Sequence, residues 1–434
     1  MADARALDLL DDVPADVAGA LADGELPGAA LIRHYALLGL RLDRHIDGVV
    51  DAYYGPPGLR DRVRGEPLTP PGRLVDAANR LRRALDDPAA GGGDTGLDPH
   101  RRRWLRAQVH GLATVAAKLA GDDVGYADEV EACYGVRPQR VPEERFEAAH
   151  RLLDEALPGG SAAGGRAAEP LADRYIAWRE AQAVDPGKLD AALASLAEDF
   201  RERTDRLFGL PDGEHIDFEL VTDQPWSGFN YYLGDLRSRV AINTDLPVLA
   251  TSLGHLVAHE AYPGHHTEHT RKEVGLVRAR RQWEESIFLV GTPQCLLAEG
   301  LADLGLEVIV GERPEPVVAE HFRSLGIPYD ADVVAAVREA GESLDAVRGN
   351  VGWLLHEEGR PVDECIEYAM RWLLVPRARA EKAVAFMTDP TWRAYISCYV
   401  EGLPLCRAFV AGDPARFERL LTEQLLPADL VPAA

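Results

Sequence analysis

The sequence predicts a mainly α fold: a large helical protein with a small β-sheet or hairpin beside one functionally loaded helix. Three observations predict it. Apolar residues recur at helical spacing through most of the 434 residues, the interval that places side chains on one face. Only one segment reads as β structure. Hydrophobic residues make up 46% of the chain, ample for a packed core and too many for a disordered one. A chain of this length holds two or three average domains, or one large helical fold. No repeat of fixed period runs through it.

Taken in order, residues 28–52 alternate apolar and polar positions at helical spacing and end at Tyr53-Tyr54-Gly55-Pro56-Pro57. Further helices are expected around 72–87, 101–120, 142–156 and 171–208. Two loops of small residues interrupt them, Pro88 to Gly96 and Pro158 to Ala168. Helices resume at once on each side, so neither reads as an interdomain linker. The β-like region runs from Phe229 to Asp235 and from Arg239 to Thr244. Its aromatic and β-branched residues around Gly234-Asp235 suggest a hairpin. A helix over 248–260 follows directly. Residues 1–210 form an N-terminal helical half. Residues 211–434 form a catalytic half with the hairpin, the metal-site helices and the C-terminal helices, unless the two make one continuous domain.

Composition narrows the partners. A net charge of −24 repels nucleic acid and anionic membrane, and neither is expected to bind. Five cysteines (Cys133, Cys295, Cys365, Cys398, Cys406) are widely spread without a CxxC pair, which fits free thiols in a reducing compartment. The acidic N-terminal stretch is unlike a signal peptide, and no apolar run approaches the ~20 residues of a membrane span. A cytoplasmic location is expected.

The most informative stretch is His259-Glu260-Ala261-Tyr262-Pro263-Gly264-His265-His266. In a regular H-E-x-x-H helix two histidines four apart face one metal ion, and the glutamate between them is the base. Here the second histidine comes six or seven positions on. An unbroken helix would rotate His265 by about 240° and carry it roughly 9 Å along the axis. The site therefore requires a break, and Pro263-Gly264 supplies the residues for one. Glu299 and Asp303 lie four apart in an apolar helical segment and share a face. Glu299 suits a third ligand, and Asp303 suits the acceptor for the outer N–H of a ligating imidazole, His259 first. The plainer alternative is a solvated pair on an amphipathic helix. His255, four before His259, permits another metal pair, but no glutamate lies between them. His266 and His269 are candidates for a supporting or substrate-facing role.

These residues resemble the bacterial domain-of-unknown-function 885 family, whose members carry an H-E-x-x-P-G-H-H motif and a later E-G-x-A helix. The resemblance runs from Tyr53-Tyr54-Gly55-Pro56-Pro57 to about Arg407. That family is grouped with the gluzincin metallopeptidases, and the Gly264-His265 pair is similar to the ending of the thimet oligopeptidase and dipeptidyl-peptidase III motifs. The resemblance implies a helical fold with a deep cleft, a Zn2+ site of His259, His265 and Glu299, and Glu260 as catalytic base. It favours His265 over His266, and short peptides over folded proteins.

Amide hydrolysis at such a site needs a donor for the developing oxyanion. Tyr399 is the first candidate, in a Tyr-x-x-Gly segment that resembles the family's C-terminal motif, and Tyr395 is the second. Arg407 and Arg360 could hold a substrate carboxylate. A strand at Asn230–Leu233, with Asn230 and Tyr231, or at Val240–Asn243, could pair with extended substrate. The expected function is a zinc-dependent metallopeptidase for short peptides. The alternatives are a zinc amidohydrolase acting on another amide or metabolite, and a helical binding protein with a vestigial site.

Overall fold

A computed structural model of the chain describes residues 28–86, 97–159, 169–224, 226–389 and 392–431. The loop expected at 88–96, and the loop expected at 158–168 beyond its first two residues, lie outside these residues. Helices dominate what is described. Four expected helices are found as Pro71–Asp86, Pro99–Leu119, Glu143–Ala156 and Ala250–Glu260.

Two expectations are corrected. The helix read over 28–52 ends at Asp43, and the chain turns through Gly48 (φ +87°) into a strand, β1 (Val50–Tyr53). The helix read over 171–208 is two, Leu171–Glu180 and Pro186–Phe208. Asp185 starts the second by accepting from the Gly187 N–H, and Pro186 occupies the first turn, where it lacks only an N–H that needs no partner.

The expected hairpin is present as β3 (Gly228–Gly234) and β4 (Arg237–Asn243), antiparallel, with positive φ at Gly234, Asp235 and Leu236. A strand the sequence reading missed, β2 (His215–Val221), lies parallel to β4 in register His215↔Arg237, giving the order β2-β4-β3. A separate two-stranded ribbon joins β1 to β5 (Ile287–Leu289).

Among the described residues three hydrophobic cores hold the helices together. One packs Tyr35, Leu37 and Leu42 against Trp104, Leu105 and Leu112. Another sets Phe146 and Leu153 against Val347, Trp372 and Val384. The largest surrounds the site, joining Leu253 and Val257 to Leu296, Leu301, Cys398 and Cys406. Within it, Pro293–Val310 and Ile396–Val410 cross at two glycines. A methyl on Gly300 would lie 2.4 Å from the Gly402 carbonyl oxygen, and one on Gly402 would lie 2.8 Å from that of Leu296. Glycine at both positions is what lets the helix of Glu299 approach the helix of Tyr399 so closely.

Candidate metal centre

The helix Ala250–Glu260 ends where the motif demanded a break. Ala261 leaves helical geometry (φ −118°, ψ −88°), the Tyr262–Pro263 bond is cis, and a new helix, His265–Lys272, begins after Gly264. The turn is tied internally. The Gly264 N–H donates to the Ala258 carbonyl at 2.9 Å, and the Thr267 hydroxyl donates to that of Ala261 at 3.2 Å. Gly264 is packed so tightly against the first helix that a methyl there would lie 1.9 Å from the His259 carbonyl oxygen.

This path returns His265 to His259. Their Nε2 atoms lie 3.1 Å apart with ring planes nearly perpendicular. From the helix Pro293–Val310, Glu299 places Oε2 3.4 Å from His259 Nε2 and Oε1 3.7 Å from His265 Nε2. Asp303, one turn on, takes His259 Nδ1 at 2.9 Å. With the His259 Nδ1–H donating to Asp303, the Nε2 lone pair of His259 faces His265 and Glu299.

The donor set fits a divalent cation such as zinc. Donors bound to zinc at 2.0–2.1 Å in a tetrahedron stand about 3.3 Å from one another, close to the three separations here. Glu299 Oε2 is buried and has no hydrogen-bond partner, an arrangement that a cation would relieve. His255, His259 and Asp303 form a second convergent group. His255 is half exposed and 3.4 Å from Asp303, so that group is open to solvent, and it lacks an interposed glutamate.

Electrostatics follow from burial and these contacts. Burial works against a charge on His259, yet the hydrogen bond to Asp303 and the nearby carboxylate of Glu299 outweigh it and raise its pKa. Burial would raise Glu299, and its contacts with His259 and His265 bring it below the usual range. Burial would likewise raise Asp303, which the hydrogen bonds from His255 and His259 hold well down. Glu260 is raised, chiefly by burial.

Glu260 sits at the end of its helix with its backbone oxygen accepting from Asn230 Nδ2 at 2.6 Å. Its carboxylate lies against β3, 3.1 Å from the point where a Gly228 side chain would begin. Asn230 Oδ1 is buried without a partner. Tyr231 points to the other face of β3, where Arg239 lies 4.3 Å over its ring. Tyr395 donates its hydroxyl to Glu299 Oε1 at 2.9 Å, and the exposed Tyr399 ring packs 5.5 Å from that of Tyr395. His266 turns away from His259. It bonds Ser238 Oγ at 2.8 Å and Glu214 Oε2 at 2.9 Å, pinning the turn to the sheet. His269 stacks on Tyr232. Arg407 is bound by Glu307 and Glu342, and Arg360 faces Glu358 and Glu364.

Two groups near the centre carried no sequence signal. Glu214 accepts from the Tyr262 hydroxyl at 2.6 Å as well as contacting His266 and Arg201, and these bonds overcome burial to bring its pKa to about 2. Asp51, on β1, is pushed up to about 8 by burial and by the neighbouring Glu299 and Glu260.

Fold and site together define a mainly helical protein with a candidate His-His-Glu metal centre. No protein-family model matches the chain, and no curated protein matches it. Among solved structures, similarity is found to a candidate lipoprotein from Colwellia psychrerythraea (15% identity, 86% of this chain and 68% of that one, TM-score 0.48). A candidate lipoprotein of unknown function from Shewanella oneidensis is similar at 12% identity, over 95% of this chain and 80% of that one, TM-score 0.45. An M32 carboxypeptidase from Deinococcus radiodurans R1 is similar at 14% identity, over 92% and 93%, TM-score 0.41. Likenesses at this level say nothing about the reaction of this chain. Among the described residues, no helix is long and apolar enough to cross a membrane.

Proposed function

We propose that the chain is a zinc-dependent hydrolase, a metallopeptidase acting on short peptides. The observation that carries the reading is the convergence of His259 Nε2, His265 Nε2 and the Glu299 carboxylate beside the carboxylate of Glu260. Zinc held by these three ligands would supply Lewis acidity toward a substrate carbonyl and toward water. Glu260 takes the proton of the attacking water and hands it to the leaving amine. Its burial, which raises its pKa, suits a group that must hold that proton in between. Asp303 keeps His259 in one tautomer and one orientation. Tyr395 is committed to Glu299, which leaves the Tyr399 hydroxyl as the donor to the developing oxyanion. The outer edge of β3, next to Glu260, offers backbone groups to an extended peptide.

A peptide-library digest with the intact chain and a Glu260→Gln variant tests the reading. Cleavage by the intact chain that disappears in a variant still holding its zinc supports it. Cleavage that survives in the variant contradicts it, and zinc binding without cleavage turns the reading toward an amide that is not a peptide.

A further inference from the structure

We propose that Phe386, Trp392 and the ring of Tyr399 form a subsite for a large apolar or aromatic side chain of the substrate, borne next to the scissile bond. This deepens the hydrolase reading above and rests on it. The placement starts at Glu299. Tyr395 donates its hydroxyl to Glu299 Oε1 at 2.9 Å, which sets the Tyr395 ring beside the candidate metal centre. Three more aromatic rings gather on that ring. Phe386 comes from the helix Arg377–Thr388, Trp392 from the turn after it, and Tyr399 from the first turn of Ile396–Val410. Their centroids lie 6.3, 6.2 and 5.5 Å from that of Tyr395, all edge to face. Aromatic pairs prefer this arrangement, so each ring is held in a set orientation.

These rings are not core. The three hydrophobic cores take in Tyr395 at a margin and none of the other three. Phe386 is 38% exposed and Tyr399 39%, and Trp392 is part-exposed. Trp392 is nonetheless steadied from the N-terminal half. A methyl on Gly48, in the turn before β1, would lie 3.2 Å from its ring. Apolar rings left open to water in one patch mark a binding surface, and small-molecule sites are walled by such rings with few polar groups. Continuity with the metal centre names the occupant. Tyr395 joins the patch to a proposed zinc ligand, and the Tyr399 hydroxyl is the proposed oxyanion donor. A side chain seated on these rings is therefore attached close to the reacting carbonyl.

The test reads binding without turnover, on the full-length, zinc-loaded Glu260→Gln chain by calorimetry. N-acetyl tripeptide amides carry phenylalanine, leucine or lysine at one of their three positions, with the all-alanine peptide as reference. At one position at least, phenylalanine is expected to tighten binding at least about tenfold over alanine, the scale of burying one large apolar side chain. Leucine should follow it. Phe386→Ala and Trp392→Ala should each lower that ratio, and together bring it near one, while zinc content and helix content hold. Phe386→Leu should keep part of it. Tightest binding by lysine would mean that the rings hold a cation. Loss of self-association in Phe386→Ala with the ratio unmoved would give the patch to a second copy of the chain. Either result overturns the proposal, as does equal affinity for phenylalanine and alanine or no binding of any probe. Failure of the unmodified chain to cleave the peptides it binds would defeat the hydrolase reading and leave the binding preference standing.

Discussion

Gly264 is the residue on which the geometry of the centre turns, and Gly264→Ala is the sharpest perturbation of it. The added methyl would start 1.9 Å from the His259 carbonyl oxygen and 2.6 Å from that of Ala258. An ordinary carbon-to-oxygen contact is about 3.3 Å, so turn and helix must separate by roughly 1.4 Å. The turn cannot yield without disturbing the bonds of Gly264 to Ala258 and to the Glu268 N–H. His265 is the next residue and moves with it. Metal–ligand distances tolerate only about 0.2 Å, several times less than the displacement. Zinc affinity, measured by competition with a chromogenic chelator, should fall at least about 100-fold, close to 3 kcal/mol. Global stability should fall by about 1–3 kcal/mol from overpacking. A folded variant that binds zinc within about threefold of the parent would refute the reasoning.

Three further outcomes follow from the same structure. Gly300→Ala sets a methyl 2.4 Å from the Gly402 carbonyl; the helices must part, and urea unfolding should show a loss of about 1–3 kcal/mol. His266→Ala should leave zinc binding intact yet lower stability by about 1–3 kcal/mol, because buried Glu214 loses one of its partners; unchanged stability, or lost zinc, contradicts the role given to His266. Glu285 is raised to about 7, chiefly by burial. The folded chain therefore holds a proton there that the unfolded chain releases near pH 4.5. The contribution to stability is complete below that pH and is lost as pH rises through about 7, worth about 3 kcal/mol in all. Glu285→Gln should remove this slope from a series of urea midpoints between those values, and an identical slope in both proteins would contradict it.

What could be read from the chain was what is written locally. The His259–His266 segment carries its chemistry and its helix-breaking pair within eight residues, and Glu299 and Asp303 declare a shared face by spacing alone. The β3–β4 hairpin was legible because its turn residues lie between its own strands. Parallel pairing of β2 to β4 was not, since it joins residues about twenty apart through no turn signal. The part taken by His266 depends on Glu214, fifty-two positions away, and β1 finds its ribbon partner only in residues 287–289, far along the chain. The start of Pro186–Phe208 stood in plain view as an Asp-Pro pair and was overridden by the helical periodicity on either side. Gly300 and Gly402 were read as letters of two motifs; the structure gives them a shared physical purpose in one helix crossing.

The most direct test is metal content by inductively coupled plasma mass spectrometry, on the purified chain beside His265→Ala, His266→Ala, His255→Ala and Glu299→Ala. The predicted result is close to one zinc per chain, lost with His265 or Glu299 and kept with His266 or His255. A parent chain that takes up no zinc when it is supplied, or a Glu299→Ala variant that retains it fully, would contradict the centre described here.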